Sequence, residues 1–87
     1  MKILIFVDYA SKEFNKDFQL SNILLEDNSV FLVTSNEQLK MAEKHYDILL
    51  LGYSFNHGTS VSTSLKIYSI QDNDKYEDII HKIKEFQ

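Results

Sequence analysis

Three short apolar segments decide the fold class of this chain: ILIFV at residues 3–7, VFLV at residues 30–33 and ILLL at residues 48–51. A strand covered on both faces reads as an unbroken hydrophobic run, whereas a half-exposed strand alternates between apolar and polar residues. The three runs therefore predict buried parallel strands joined by crossover connections. Each run stops abruptly at polar residues, at the strand ends where sheets of this kind bind their ligands.

Helical periodicity follows the first run. Ser11 is a candidate N-cap, and one face of the predicted helix carries Phe14, Phe18, Ser21 and Leu25. Leu20, Ile23 and Leu24 widen this face, which we expect to point inward. The turn Glu26-Asp27-Asn28 marks the end of this helix.

Two further helices are signalled by capping boxes. Ser35 and Gln38 have the required spacing for a helix that runs to about Lys44. Asp74 and Glu77 have the same spacing before a terminal helix. The residues expected to face inward are Leu39, Ala42 and Tyr46 in the first of these helices, and Tyr76, Ile79, Ile80 and Ile83 in the second.

The predicted order of elements is β-α-β-α-β-loop-β-α. The last strand, Lys66 to Ile70, is placed at a sheet edge because Lys66 and Ser69 interrupt its apolar residues. Right-handed crossovers give the strand order 2-1-3-4. We therefore predict a minimal doubly wound α/β fold: a three-layer sandwich with a mainly parallel four-stranded sheet and three helices, forming one domain over residues 1–87.

The composition argues against several classes of function. The chain is 44% hydrophobic, too apolar for disorder, and its longest apolar run is far shorter than a bilayer span. No cleavage site follows the first run, so a cytoplasmic location is predicted. With no cysteine there is no disulfide, thiolate metal site or cysteine nucleophile. All nine basic residues are lysines and the net charge is −4, which argues against nucleic-acid binding.

A crevice is expected where the chain reverses direction across the sheet, at the carboxyl ends of the strands. The long loop from Gly52 to Ser64 contains both glycines and six hydroxyl residues, and loops of this length tend to be functional. The candidate binding residues at this crevice are Asp8, Tyr9, Ser11, Thr34, Ser35, Tyr53, Ser54, Phe55, Asn56, His57 and Thr59.

No catalytic constellation is complete. His57 could be combined with Ser54 or Ser60 and with Asp8 as a triad, but no Gly-x-Ser-x-Gly elbow is present. His57 is therefore interpreted as a solvated loop residue. His45 and His81 lie on separate predicted helices without metal-ligand spacing, so no metal site is predicted.

Two interpretations remain open for the other candidates. Asp8 could bind a ligand, or it could accept hydrogen bonds from the amides that follow it. Tyr9, Tyr53 and Phe55 could border a site for a planar ligand or a partner protein, or they could simply cover the core.

The segment YDILLLGYSFNHG at residues 46–58 resembles the third strand and following loop of flavodoxins. That resemblance implies a flavodoxin-like arrangement and an FMN site in which Phe55 stacks on the flavin. The loop after the first strand departs from the pattern, because Asp8 to Glu13 has no glycine and contains two carboxylates, which would repel a phosphate.

Three other families share features with the chain. The layout is similar to the IIB phosphocarrier domains of sugar phosphotransferase systems, whose phosphate-carrying cysteine is absent here. Receiver domains are also similar, and Asp8 matches one of their acidic residues, but Gly52 occupies the position of their phosphorylated aspartate. The chain also resembles the N-terminal half of a two-domain glycosyltransferase.

The sequence thus predicts a small non-catalytic binding protein, an accessory or inhibitory module that contacts a partner protein at the carboxyl-end rim of the sheet. The alternative is a flavodoxin-like protein that binds a flavin or nucleotide in the same crevice, with a redox or transfer role. No cofactor is assigned, FMN being the candidate under the alternative. A homodimer formed through the edge strand Lys66 to Ile70 is a further prediction.

Overall fold

The computed structural model describes residues 1–86, and Gln87, the last residue of the predicted domain, lies outside the described residues. The strands are β1 (Lys2–Phe6), β2 (Ser29–Val33), β3 (Ile48–Leu51) and β4 (Lys66–Ser69). The helices are α1 (Phe14–Leu24), α2 (Asn36–Ala42) and α3 (Tyr76–Glu85), and a 3₁₀ turn at Glu43–His45 extends α2. The strands form one sheet in the order β2-β1-β3-β4, and all three pairings are parallel. The predicted α/β class, strand order and helix number are confirmed.

The two faces of the sheet are covered by different elements. On the first face, α1 and α3 cover the fully buried residues Ile3, Ile5, Ile48 and Leu50. On the second face, α2 covers Leu4, Phe6 and Leu49 together with the chain between β3 and β4, which contributes Phe55, Val61 and Leu65. Residues 52–65 contain no helix, so a loop lies where a crossover helix would otherwise connect β3 to β4.

The predicted inward face of α1 is confirmed only in part. Leu20, Ser21 and Leu24 are buried as expected, but three other residues expected to face inward, Phe18, Ile23 and Leu25, are 49%, 36% and 51% exposed. The polar residue that faces inward is Asp17, whose carboxylate binds the chain after β3. Because these bonds require Asp17 to face the sheet, they turn the aliphatic side of the helix inward.

The predicted start of α1 is also corrected. Ser11 is not its N-cap, because the helix begins at Phe14 and the Ser11 hydroxyl accepts a hydrogen bond from the Glu13 amide within the preceding turn. Tyr9 belongs to the same connection, where its ring makes an edge contact with Phe14.

The N-cap predicted for α2, Ser35, is confirmed. The Ser35 hydroxyl accepts a hydrogen bond from the Gln38 amide at 3.2 Å. The Gln38 side chain reaches one residue further than expected, and its Oε1 accepts from the Thr34 amide at 2.7 Å. Leu39 is fully buried, and Ala42 and Tyr46 pack against the same core, as predicted.

The capping box predicted at Asp74 and Glu77 is wrong. Helix α3 begins one residue later, and the Asp78 carboxylate accepts a hydrogen bond from the Lys75 amide at 3.0 Å. Asp74 instead closes the turn before the helix, since its Oδ2 accepts from the Tyr68 hydroxyl and from the Gln71 amide, each at 2.8 Å. The inward face of α3 is as predicted, with Ile79 and Ile83 buried.

Candidate functional site

A buried carboxylate joins α1 to the chain that follows β3. Asp17 is fully buried, and its two oxygens accept three hydrogen bonds. Its Oδ1 accepts from the Tyr53 amide at 2.7 Å, and its Oδ2 accepts from the Ser54 amide at 2.9 Å and from the Ser54 hydroxyl at 2.6 Å. Two successive backbone amides and a hydroxyl form an anion-binding nest. In this protein the nest is filled by the protein's own side chain.

Gly52 is required by this arrangement. A Cβ atom at position 52 would lie 2.6 Å from both carboxylate oxygens of Asp17. The carboxylate cannot move away without losing the three hydrogen bonds that satisfy it. Position 52 therefore requires a residue without a side chain, because the Asp17 carboxylate occupies the adjacent space.

Burial changes the pKa of the Asp17 carboxyl. Removal from water raises the pKa of this carboxyl above its ordinary value, and the hydrogen bonds from Ser54 and from the Tyr53 amide oppose that rise. A pKa that is higher in the folded than in the unfolded chain means that the folded state holds the proton more firmly. The contribution of Asp17 to stability therefore falls as the pH rises above the unfolded pKa.

The Ser54 hydroxyl extends the network to β1. It donates to Asp17 and accepts a hydrogen bond from the Asp8 amide at 2.8 Å. The exits of β1 and β3 are thus joined across the point where the chain reverses direction. The side chain of Asp8 turns away from this contact, and its Oδ1 accepts from the Ala10 amide at 2.9 Å, the local role considered for it in the sequence.

A depression of about 380 Å³, here called the rim groove, lies beside this network at the carboxyl ends of β1 and β2. It is lined by Phe6, Val7, Asp8, Thr34, Ser35, Asn36, Asn56 and Thr59. Five of the predicted binding residues meet here: Asp8, Thr34, Ser35, Asn56 and Thr59. Asp8 carries the only formal charge in this lining.

Asn36 is a lining residue that the sequence did not indicate. Its Nδ2 donates to the Ser60 carbonyl at 2.8 Å, which ties α2 to the long loop. Its Oδ1 is shielded from solvent and has no hydrogen-bond partner within residues 1–86. The only signal in the sequence was its place directly after the Ser35 cap.

The predicted aromatic residues do not come together at the groove. Tyr53 and Phe55 are buried on opposite faces of the sheet, Tyr53 in the core beneath α1 and α3 and Phe55 in the core beneath α2. Tyr9 is exposed and packs on Phe14. The exposed His57 ring makes an edge contact with Phe55.

Ser11 and Ser54 are also outside the lining of the groove. Ser11 belongs to the turn before α1, and Ser54 is buried in the Asp17 network.

A second polar cluster lies beyond β3. The Tyr53 hydroxyl donates to the Asp74 carbonyl, and the Tyr68 hydroxyl donates to the Asp74 carboxylate. Burial, aided by the nearby negative groups, raises the pKa of Tyr53 to about 12 and that of Tyr68 to about 12. Tyr53 also forms part of a separate depression of about 290 Å³ with Lys16, Asp72, Asp74, Lys75, Tyr76 and Glu77.

Comparison of this chain with protein-family models, with curated proteins and with solved structures found no match. Among the helices of residues 1–86, none is both long and apolar enough to cross a membrane. Within the same residues, no three histidine, aspartate or glutamate side chains are grouped as metal ligands would be.

Proposed function

We propose that this protein is a small non-catalytic binding module, with an accessory or inhibitory role, and that it contacts a partner protein through the rim groove. The observation that carries the proposal is the burial of Asp17 in the nest formed by Tyr53 and Ser54. In doubly wound folds this strand-end region is where ligands bind. Here its hydrogen-bond donors already have a partner, which leaves the adjacent groove as the open part of the region.

The groove favours a partner segment that donates hydrogen bonds. Asp8 supplies a carboxylate, and the enclosed Oδ1 of Asn36 is an acceptor that still lacks a donor. No lysine or histidine lines the groove. We therefore expect it to receive a lysine or arginine side chain, or main-chain amides, from a loop of the partner.

The second candidate, a flavin or nucleotide, is less well supported by these contacts. A phosphate at the strand ends would meet the Asp8 carboxylate in the groove and the Asp17 carboxylate in the nest. The flavodoxin resemblance placed Phe55 against a flavin ring, but Phe55 is buried against Phe6, with ring centroids 5.1 Å apart.

Site-specific photocrosslinking in the native host would test the proposal. A photoreactive amino acid replaces Thr59 in the groove or, as the matched control, Lys82, which is exposed on α3 and lies outside the groove. We expect a discrete adduct with one protein from position 59 and none from position 82. The adduct should disappear in the Asp8→Lys variant, because the introduced ammonium repels a donor-rich segment.

A ligand panel tests the alternative in parallel. FMN, nucleotides and sugar phosphates are added to the purified protein, and its thermal unfolding is followed. We expect no stabilisation. An increase in Tm with FMN or a nucleotide, abolished by Asp8→Lys or by Thr34→Ala, together with no adduct at position 59, would replace the partner-protein proposal with the small-molecule one.

A further inference from the structure

The outer edge of β2 carries unpaired backbone groups. In a parallel pair, alternate residues direct both the N–H and the C=O toward the neighbouring strand. The bonds from the Ser29 amide to the Met1 carbonyl and from the Val7 amide to the Val33 carbonyl show that odd-numbered residues of β2 face β1. Val30 and Leu32 therefore direct two amides and two carbonyls away from the sheet, and no residue within 1–86 bonds them.

Nothing in β2 protects this edge. Natural edge strands are usually shielded by lysine, proline, a bulge or a covering segment. β2 reads SVFLV, without charge or proline, and it pairs with β1 in continuous register. The Phe31 side chain is 48% exposed beside Tyr46 on the second face of the sheet.

An apolar row on α1 adjoins the same edge. This α1 stripe consists of Phe14, Phe18 and Leu25, of which Phe18 and Leu25 are half exposed. The opposite flank of α1 lies toward α3, because the Tyr76 hydroxyl contacts the Lys16 carbonyl and the Gln19 side chain. The stripe is therefore on the flank that faces away from α3, toward the β2 edge.

We propose that the β2 edge and the α1 stripe together bind a second copy of this chain. The two β2 strands run antiparallel about a two-fold axis perpendicular to the sheet, forming a continuous eight-stranded sheet. Val30 lies opposite the partner's Leu32, and Leu32 opposite the partner's Val30. This register pairs all the free backbone groups of Val30 and Leu32 in four hydrogen bonds. If one strand slides along the other to the next hydrogen-bonded register, in either direction, some of these groups stay unpaired.

The surfaces that meet in this arrangement are complementary to themselves. Phe31 falls on the two-fold axis beside the partner's Phe31, at a non-hydrogen-bonded position where side chains are closest. The two α1 stripes lie on the same face of the extended sheet and cover one another. Asn15 and Asn22, which flank the stripe on the helix, are uncharged.

The charges near the strand also favour two identical chains. β2 runs from Ser29 to Val33 and contains no charged residue, so no two carboxylates are opposed in the paired strands. A chain with net charge −4 can therefore associate with itself here without like charges meeting at the edge. The rim grooves of the two copies lie at opposite ends of the extended sheet, and the strand pairing uses none of their lining residues, so this inference does not depend on the proposed function.

A cysteine placed at the axis tests the geometry directly. The natural chain has no cysteine, so Phe31→Cys introduces a single thiol. Opposed residues at a non-hydrogen-bonded position have Cα atoms about 4.5 Å apart, which is within the range that a disulfide spans. We expect Phe31→Cys to form a disulfide-linked dimer under mild oxidation. Ile67→Cys, at the similarly exposed Ile67 of the β4 edge, is the matched control and should stay unlinked.

Sedimentation of the full chain over a concentration series gives the second measurement. The unmodified protein should show a concentration-dependent dimer, and Phe31→Lys or Phe18→Glu should raise its dissociation constant by about tenfold or more. Circular dichroism confirms that each variant is folded, and Ile67→Lys should leave the dimer unchanged. A protein that is monomeric up to millimolar concentration overturns the proposal. A dimer that Ile67→Lys dissolves and Phe31→Lys does not also overturns it, and supports the β4 edge instead.

Discussion

The two edges of the sheet are built differently, although both belong to short parallel strands. At the β4 edge, the Gln71 side chain donates to the outward Ser69 carbonyl at 3.2 Å, and Lys66 places a charge over the Phe86 ring. At the β2 edge, no side chain within residues 1–86 bonds the outward groups of Val30 and Leu32, and the nearest helix presents an apolar stripe. The edge that looked available in the sequence, Lys66 to Ile70, is thus the more protected of the two.

The contrast extends inward from each edge. On the β4 side, polar bonds connect the elements, including the Asp17 network and the contacts of Asp74 with Tyr53 and Tyr68. Leu20 and Leu24 of α1, by contrast, pack in the core of the first face as apolar side chains. The difference teaches that the polar half of the molecule, around Asp17 and Asp74, depends on precise geometry, whereas the apolar half, around Leu20 and Leu24, depends on burial, so the two should respond differently to mutation and to pH.

The largest effect is expected from the polar half. Asp17→Ala leaves three buried donors without an acceptor and should lower the free energy of unfolding by about 4 kcal/mol. Denaturant unfolding measures the change, with Asp27→Ala, an exposed acid after α1, as the control that should change stability by less than about 0.5 kcal/mol. An Asp17→Ala variant as stable as this control would show that the network contributes nothing.

A double substitution tests whether Gly52 and Asp17 depend on each other. Gly52→Ala alone should also be strongly destabilising, because its Cβ would lie 2.6 Å from the Asp17 carboxylate. In the Asp17→Ala background that contact is absent, so the combined loss should be smaller than the sum of the two.

The next effect tests the apolar half. Leu20→Ala removes a fully buried side chain of α1 and should cost about 3 kcal/mol. The matched control is Leu25→Ala on the exposed stripe, which should cost less than about 0.5 kcal/mol when measured at a concentration where the chain is monomeric. Equal losses at the two positions would mean that Leu25 also faces inward, as the sequence pattern suggested.

Alkaline pH should weaken the polar half selectively. An unfolded tyrosine has a pKa of 10.0, whereas Tyr53 and Tyr68 hold their protons to about 12 in the folded protein. Because the unfolded state loses these protons first, the contribution of the two tyrosines to stability should be constant below pH 10 and should fall between about pH 10 and pH 12. We expect on the order of 1–2 kcal/mol for each tyrosine.

Urea unfolding at a series of pH values measures this decrease. The Tyr68→Phe variant should show a shallower decrease over the same range, because one of the two protons is no longer involved. An unchanged slope in that variant would contradict the assignment of Tyr68.

The smallest effects concern two glutamines that lie at the exits of the edge strands. Gln38→Ala removes the acceptor of the Thr34 amide after β2 and should cost about 1 kcal/mol. Gln71→Ala uncovers the carbonyl of Ser69, the last residue of β4, which water can then reach, and should cost about 0.5 kcal/mol or less. Thermal unfolding of both variants under one condition measures the difference, and a larger loss for Gln71→Ala would reverse our interpretation.

The sheet could be predicted because its signals act over whole segments. Unbroken apolar runs indicate strands buried on both faces, and right-handed crossovers then leave one strand order. The same reasoning brought Asp8, Thr34 and Thr59 to one end of the sheet, since the exits of parallel strands share an edge. No knowledge of individual side-chain contacts was needed for either result.

The orientation of single side chains could not be obtained in this way. The face of α1 expected to point inward is wide, with Phe14, Phe18 and Leu25 on one side and Leu20 and Leu24 on the other, and Asp17 lies beside Leu20 and Leu24. An acidic residue in a row normally marks the solvent side. Only the free amides after β3, which are a feature of the folded chain, make Asp17 the inward residue.

Tyr53 and Phe55 illustrate the same limit. Two residues apart, they would share a face in a continuing strand. The bond from the Phe55 amide to the Gly52 carbonyl closes a turn at this point and directs the two rings to opposite faces.

The connection from β3 to β4 has a consequence for how this protein can change over evolution. Because a loop replaces a helix there, the second face of the sheet is shielded by the seven residues of α2 and by irregular chain, and the molecule measures only 17 Å along its shortest axis. Leu39 is the one fully buried side chain that α2 supplies. A substitution at Leu39 cannot be compensated by a neighbouring helix on the same face. The opposite face carries two helices, so a substitution in one helix can be compensated by a change in the other.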